Sequence, residues 1–213
     1  MNARRYDRCL GLLALLWGTG LLWSGWSPYD RATWWMEVAP VLIAFPLLVG
    51  LRHRLPFTRL ALGLVGLHGL VLMLGGAYSY ARVPIGAEVQ GWLGLVRNPY
   101  DRFGHLMQGF VPAIVLREIA IRTGALRRGT FLAICVLAWC LAISAVYELV
   151  EFAAALALGQ GADAFLGTQG DPWDTQWDML MCLTGAALSL LALGHLHDRA
   201  LARITPDRAA VPG

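Results

Sequence analysis

Asp101, His105 and Gln108 recur at intervals of four and three, Glu148 and Glu151 at three, and Asp171, Asp174 and Asp178 at three and four. Each set therefore falls on one face if its segment is helical. One imidazole among many carboxylates is oxygen-rich donor chemistry, suited to a hard or borderline divalent ion such as Mg, Mn, Ca or Zn. The same groups can instead carry protons, or be neutralised by arginine, and Arg97 and Arg102 stand beside the first set. What singles them out is their setting, because an ionisable group near hydrocarbon must be paired, hydrated or bound to an ion.

That setting is set by composition. Of 213 residues, 57% are hydrophobic and 15% charged, with nine tryptophans and a mean hydropathy of +0.56. These values lie outside the soluble globular class and indicate an integral membrane protein. The apolar runs are continuous, whereas barrel strands would alternate over ~10 positions. The fold class is therefore all-α, a polytopic transmembrane helical bundle. Cys9, Cys135, Cys140 and Cys182 sit in or beside apolar runs without Cys-x-x-Cys spacing, which argues for small buried side chains rather than disulfides. The arginines cluster beside the runs and form no basic stripe, so no nucleic-acid partner is expected.

Six spans emerge from cutting the runs at their charged or Pro/Gly-rich interruptions, at residues 10–26, 34–51, 60–80, 103–121, 130–158 and 177–195. The first follows Arg4, Arg5 and Arg8 like a signal peptide but lacks a small-x-small cleavage site, and reads as retained. Arginines crowd the N-terminus, the second loop (Arg52, Arg54, Arg59), the fourth (Arg117, Arg122, Arg127, Arg128) and the tail (Arg199, Arg203, Arg208). The positive-inside rule then puts both termini in the cytoplasm. Trp26, Trp34, Trp35, Trp92, Trp173 and Trp177 map to the outer interface. Residues 82–100 are too polar to span and read as an outer interfacial or re-entrant segment. The whole of 1–213 forms one domain, with 204–213 a flexible tail.

This topology places the polar sets at one depth. Glu148 lies eighteen residues after Thr130, ~27 Å from the cytoplasmic end, close to the outer ends of the fourth and sixth spans. If the helices converge, His105, Glu148, Asp174 and Asp178 could hold a metal, Glu151 or Asp171 act as base, and Arg102 steady an anion. Asp101, Gln108 and Gln176 complete the pocket candidates. Plainer accounts stand beside these. Asp101 and Asp174 could cap their helices, His105 could be a buried hydrogen-bonding histidine, and Glu148 and Glu151 could pair with Arg82, Arg97 or Arg102. His68 reads as a polar packing contact, and Glu37 lies near enough the outer end to join the cluster or to snorkel. Gly167-Thr168-Gln169-Gly170 supplies a flexible approach to the last span.

The stretches Asn98-Pro99-Tyr100-Asp101-Arg102-Phe103-Gly104-His105, Tyr147-Glu148-Leu149-Val150-Glu151 and Gly167 through Met179 resemble the YjdF-like family of bacterial inner-membrane proteins, over most of the chain. The resemblance implies an inner-membrane location and no particular reaction. More distantly, Asp101-Arg102-x-x-His105, Glu148-x-x-Glu151 and Asp178-x-x-x-Cys182-x-x-Gly185 are similar to a VanZ-like pattern, with Cys182 where that pattern has Asn. This likeness implies an association with the cell envelope.

The functional expectation is a multi-pass inner-membrane protein with an outward-facing acidic and histidine pocket that binds a divalent cation. It would act on a lipid head group or a lipid-linked envelope precursor, with membrane lipids as its partners. Proton- or metal-ion-coupled transport is the alternative, although a relay needs polar groups through the full thickness and the inner half offers few beyond His68 and Gln108. A non-catalytic scaffold is the third.

Overall fold

A computed structural model describes residues 3–158 and 169–204. The expected tail beyond residue 204, and Gly167 and Thr168, lie outside the described residues. Seven helices occur among them: α1 (Ala3–Trp26), α2 (Arg31–Leu51), α3 (Arg59–Tyr78), α4 (Pro84–Leu93), α5 (Tyr100–Arg122), α6 (Thr130–Leu158) and α7 (Asp174–Ala202). Five of them, α1, α2, α3, α6 and α7, are long and apolar enough to cross a membrane. At 23 residues α5 has the length, but it carries Asp101, Arg102, Arg117, Glu118 and Arg122 and falls outside that group.

The charged helix is the one the others surround. Its contact with α7 is the most extensive in the molecule, and α3 and α6 flank it. Small residues make that contact possible: a Cβ on Gly109 would collide with the backbone of Cys182, and one on Gly185 with the backbone of Leu106. Such positions let helix backbones approach closely where no hydrophobic force separates protein from lipid. Pro40 and Pro46 lie inside α2 and Pro112 inside α5, as membrane helices tolerate when neighbours satisfy the freed carbonyls.

Local signals fix the ends. Asp30 caps α2 by accepting from the Thr33 amide at 2.7 Å, and Thr58 caps α3 through Ala61. At its other end α3 stops on Ser79 and Tyr80, both with positive φ. The Tyr80 ring then folds back against Gly75 and Gly104, where a methyl group on either glycine would strike it. Between α3 and α5, the expected interfacial segment contains α4, whose Ile85, Trp92 and Leu93 are exposed, followed by a fully exposed Val96.

All four arginine-rich segments meet at one end of the bundle. Tyr6 Oη receives the Phe57 amide there, and Arg128 pairs with Asp198. The same end holds a buried network that the sequence did not suggest. Glu118 accepts from the Thr58 amide at 2.8 Å, from Thr58 Oγ1 at 2.7 Å and from Arg122 at 3.2 Å. The oxygen that takes the Thr58 hydroxyl also meets His197 Nε2 at 3.0 Å. Arg117 reaches His197 Nδ1 at 2.9 Å and Asp198 at 2.8 Å. Because arginine can only donate, Nδ1 accepts and Nε2 carries the proton given to Glu118. The expectation of few polar groups in this half is therefore corrected.

Trp34 also departs from expectation. It is buried, with its indole N–H on Ser24 Oγ at 3.0 Å, and serves as core between α1 and α2. Trp26, Trp35, Trp92, Trp173 and Trp177 are exposed as expected. All four cysteines are free thiols.

Candidate functional site

At the opposite end, α5, α6 and α7 bring their polar faces together. The Gly109 and Gly185 contacts set α5 against α7 so that His105 and Asp101, about one and two turns above Gly109, face Asp178 and Asp174. His105 Nε2 lies 3.8 Å from Asp101 Oδ1 and 3.9 Å from Asp178 Oδ2, while Nδ1 lies 3.8 Å from Glu148 Oε1. Asp101, His105, Glu148, Asp174 and Asp178 are all buried. One donor atom each from His105, Glu148 and Asp178 fit within 4.8 Å of one another, and so do donors of Asp101, Asp174 and Asp178. These are spacings that one cation could draw in.

Two features of these groups bear on what they could hold. Gln108 Oε1 lies 3.0 Å from His105 Nδ1. With the amide oxygen accepting, Nδ1 carries the proton and Nε2 keeps its lone pair toward Asp101 and Asp178, the kind of supporting bond that orients a ligating histidine. In addition, Glu148 Oε1 and Asp178 Oδ1 are buried and make no hydrogen bond. Unsatisfied buried carboxylate oxygens are costly, and a bound ion is one way to compensate them.

Arginine supplies the neutralisation on the other side. Arg97 sits between α5 and α7, bonded to Asp174 and to Asp101 at 2.8 Å, with Asp171 at 3.8 Å. Burial works against its charge, but the hydrogen bond and field of Asp174, with Asp101 and Asp178, prevail and raise its pKa above the ordinary value. Arg102 takes Asp171 at 2.6 Å and lies over the Trp177 ring. Asp171 also accepts the Trp173 amide at 2.9 Å. Arg82 is elsewhere, stacked on Tyr29.

These contacts correct the capping accounts. The N-cap positions of α5 and α7 are Pro99 and Trp173, neither with a side-chain cap, and the carboxylates of Asp101 and Asp174 go to Arg97. Gln176 is exposed, off the face that carries Asp174 and Asp178, and is not brought to the cluster. Cys182, at the position where the VanZ-like pattern has Asn, is buried with its thiol on the Cys140 carbonyl at 3.4 Å and packs α7 against α6. Gln169, expected in a flexible approach, instead clamps the Asn98 backbone, accepting its N–H at 2.9 Å and donating to its carbonyl at 3.2 Å.

A second group lies beside the cluster. Glu37 receives the Tyr147 hydroxyl at 2.8 Å, which ties α2 to α6. Glu37, Asp101, His105, Tyr80, Tyr147 and Glu151 form the polar end of a cavity of about 330 Å³. The Glu151 carboxylate has no hydrogen bond or ion pair among the described residues. Farther in, the walls are apolar except for Gln108 and for His68, whose Nε2 has no hydrogen-bond partner among the described residues. Tyr80, Arg97, Glu37 and Tyr147 therefore belong to the site although spacing alone did not unite them. Glu37 was the legible one, an acid near the end of an apolar run.

The model of a family described as predicted membrane proteins, DUF2238, matches residues 9–199. The chain belongs to the DUF2238 family. It is 53% identical over 183 residues to the inner membrane protein YjdF of Escherichia coli K12, a match that covers 86% of this chain and 88% of that protein. No solved structure matches. Like that relative, this DUF2238 protein is a multi-pass inner-membrane protein, consistent with its five apolar helices.

Proposed function

We propose that this DUF2238 protein binds a divalent cation between α5, α6 and α7 and presents it to the phosphate of a lipid head group or lipid-linked envelope precursor. His105, Glu148 and Asp178 hold the ion, with Asp174 and Asp101 shared between it and Arg97. The observation that carries this reading is the pair of buried, unpartnered oxygens on Glu148 and Asp178 beside an imidazole oriented by Gln108. An ion there polarises a phosphoryl oxygen, and the mixed nitrogen and oxygen donors suit Mn or Zn as well as Mg. Of the two acids that could serve as base, Asp171 is committed to Arg102. Glu151 lines the cavity beside the cluster with its carboxylate uncommitted, so of the two it is the one free to meet the head group.

In the proposed topology α5 is a sixth span, and the arginine-rich end, with both termini, is cytoplasmic. The cluster then faces the periplasmic half, where envelope precursors are used. Reporter fusions at the two termini and in the α4 segment check this: both termini read as inside and α4 as outside.

Elemental analysis of the purified protein, stripped with chelator and re-equilibrated with Mg, Mn, Ca and Zn in turn, tests the site. The native chain retains one of these ions, His105→Ala, Glu148→Gln and Asp178→Asn lose it, and Asp198→Asn at the other end does not. Absence of any retained ion from the native chain eliminates the metal reading.

Proton- or cation-coupled transport is a second reading, favoured by the buried Glu118–His197 pair at the far end. Flux into liposomes under a pH gradient decides it, since transport requires uptake that Glu118→Gln abolishes.

A further inference from the structure

The cavity beside the cluster has a shape and chemistry that the cation site does not use. Along α5 it is lined from Asp101 to Leu116, a run of ~22 Å at helical rise, longer than the ~15 Å of one leaflet of a hydrocarbon core. Its volume of about 330 Å³ falls in the ~300–1,000 Å³ range of small-molecule sites. Polar groups are concentrated at one end and apolar walls continue from it, through Ala44 on α2, Val65 on α3 and Val115 on α5. No residue of α7 lines it. Apart from the bond between Glu37 and Tyr147, α2 and α6 touch one another little, and both line the cavity, α2 through Pro40, Val41 and Ala44 and α6 through Ile143 and Glu151.

We infer that this cavity receives one acyl chain of an amine-headed phospholipid, entering sideways between α2 and α6, with the head group at the acidic end. The inference rests on the cation-binding reading for the phosphate and adds the substrate class. Charge decides the head group. Glu37 and Glu151 line the polar end beside His105, and the third acid there, Asp101, is already held by Arg97. An ammonium group finds the carboxyl oxygens of Glu37 and Glu151 to accept its hydrogens while its phosphate reaches the cation, whereas a glycerol head group brings no charge for them to hold. Glu151, uncommitted among the described residues, is the natural counter-ion for that ammonium. His68 offers an unpartnered Nε2 on the same wall as Val65 and Leu72, a donor or acceptor for the ester groups of the seated chain.

The test uses the full-length chain in phosphatidylcholine vesicles doped with phosphatidylethanolamine or phosphatidylglycerol bearing a photoreactive diazirine in one acyl chain. Cross-linked peptides are mapped by mass spectrometry, and bound metal is measured on the same samples. The ethanolamine probe labels Ala44, Val65 and Val115 several-fold more than the glycerol probe does. Ala44→Phe and Val65→Phe each reduce that labelling while retaining the metal, and Glu151→Gln removes the preference for ethanolamine. Labelling confined to outward residues such as Leu12 and Leu191 overturns the acyl site, and so does cavity labelling that neither phenylalanine changes. Equal labelling by both probes overturns the amine assignment. Cavity labelling in a chain that binds no metal leaves the acyl site standing and removes only the cation reading. Should either phenylalanine variant fail to fold, the map on the native chain decides alone.

Discussion

Gly109 on α5 lies directly against the backbone carbonyl of Cys182 on α7, with no space for a Cβ, and Gly185 meets Leu106 in the same way one turn farther along. This reciprocal pair is what sets the acids of α7 opposite His105. Alanine at either position must push the helices apart, and overpacking of a tight contact costs ~1–3 kcal/mol. Thermal unfolding in detergent is therefore expected to fall for Gly109→Ala and Gly185→Ala, together with metal retention. Gly11→Ala and Gly63→Ala, where a Cβ meets nothing within 4 Å, change neither.

Arg97 bridges Asp101 and Asp174 with separate guanidinium nitrogens. Removing the cation leaves two buried carboxylates without their shared partner, a loss of ~3–5 kcal/mol for a broken buried pair. Arg97→Met is expected to lower the unfolding temperature sharply, and added divalent cation recovers part of the loss because the freed acids become ligands. Arg97→Lys rescues little, since a point charge cannot span both carboxylates as a fork does. A melting curve with and without Mn checks both statements.

The extent to which the sequence foretold this arrangement follows from the physics of each feature. Span positions were readable because hydrocarbon demands continuous apolar runs, and α6 at Thr130–Leu158 coincides with the expectation. Convergence of His105, Glu148, Asp174 and Asp178 was readable as a coincidence of depth, since helical rise converts numbering into height. What depth cannot give is rotation. Gln176 shares the height of Asp174 yet lies off the buried face, and Asp171 is taken by Arg102. Trp34 was assigned to the interface from its position near a helix end, but its burial depends on Ser24 and Gly25 of α1, a contact that no local pattern announces. Glu118 and His197 were hidden for the same reason. Each lies near a charged helix end and, taken singly, looks like a solvated residue.

Asp30 offers a pH-dependent contribution at the edge of the bundle. Its carboxylate is held below the usual range chiefly by the Thr33 backbone N–H, which with the Thr33 hydroxyl and the Ala32 N–H outweighs the opposing effect of desolvation. A depressed carboxylate pKa contributes stability that is complete above the unfolded value, ~3.9, and is lost as pH falls through the lower folded value. Stability of the native chain is expected to decline below about pH 4 with an Asp30 component, which Asp30→Asn removes while keeping most of the cap. Asp30→Ala loses the cap at every pH, by ~1 kcal/mol. Unfolding measured from pH 3 to 7 in detergent separates the three.

Glu118 is buried completely and accepts from Thr58, Arg122 and His197, which belong to the start of α3, to α5 itself and to the end of α7. Glu118→Ala strands four donors at once, and the Arg122 charge loses its partner, so the cost is several kcal/mol. Glu118→Gln keeps the shape but loses the charge, and one amide hydrogen now opposes a donor of Thr58 or His197, so it is destabilising to a lesser degree. His197→Ala removes the acceptor for Arg117 as well as a donor to Glu118 and lies between them. All three variants are expected to lower the unfolding temperature, Glu118→Ala most, then His197→Ala, then Glu118→Gln, while the fraction that stays folded keeps its cation, because the network is at the other end of α5 from His105. Loss of metal from folded Glu118→Gln protein would instead mean that the two ends of α5 are coupled.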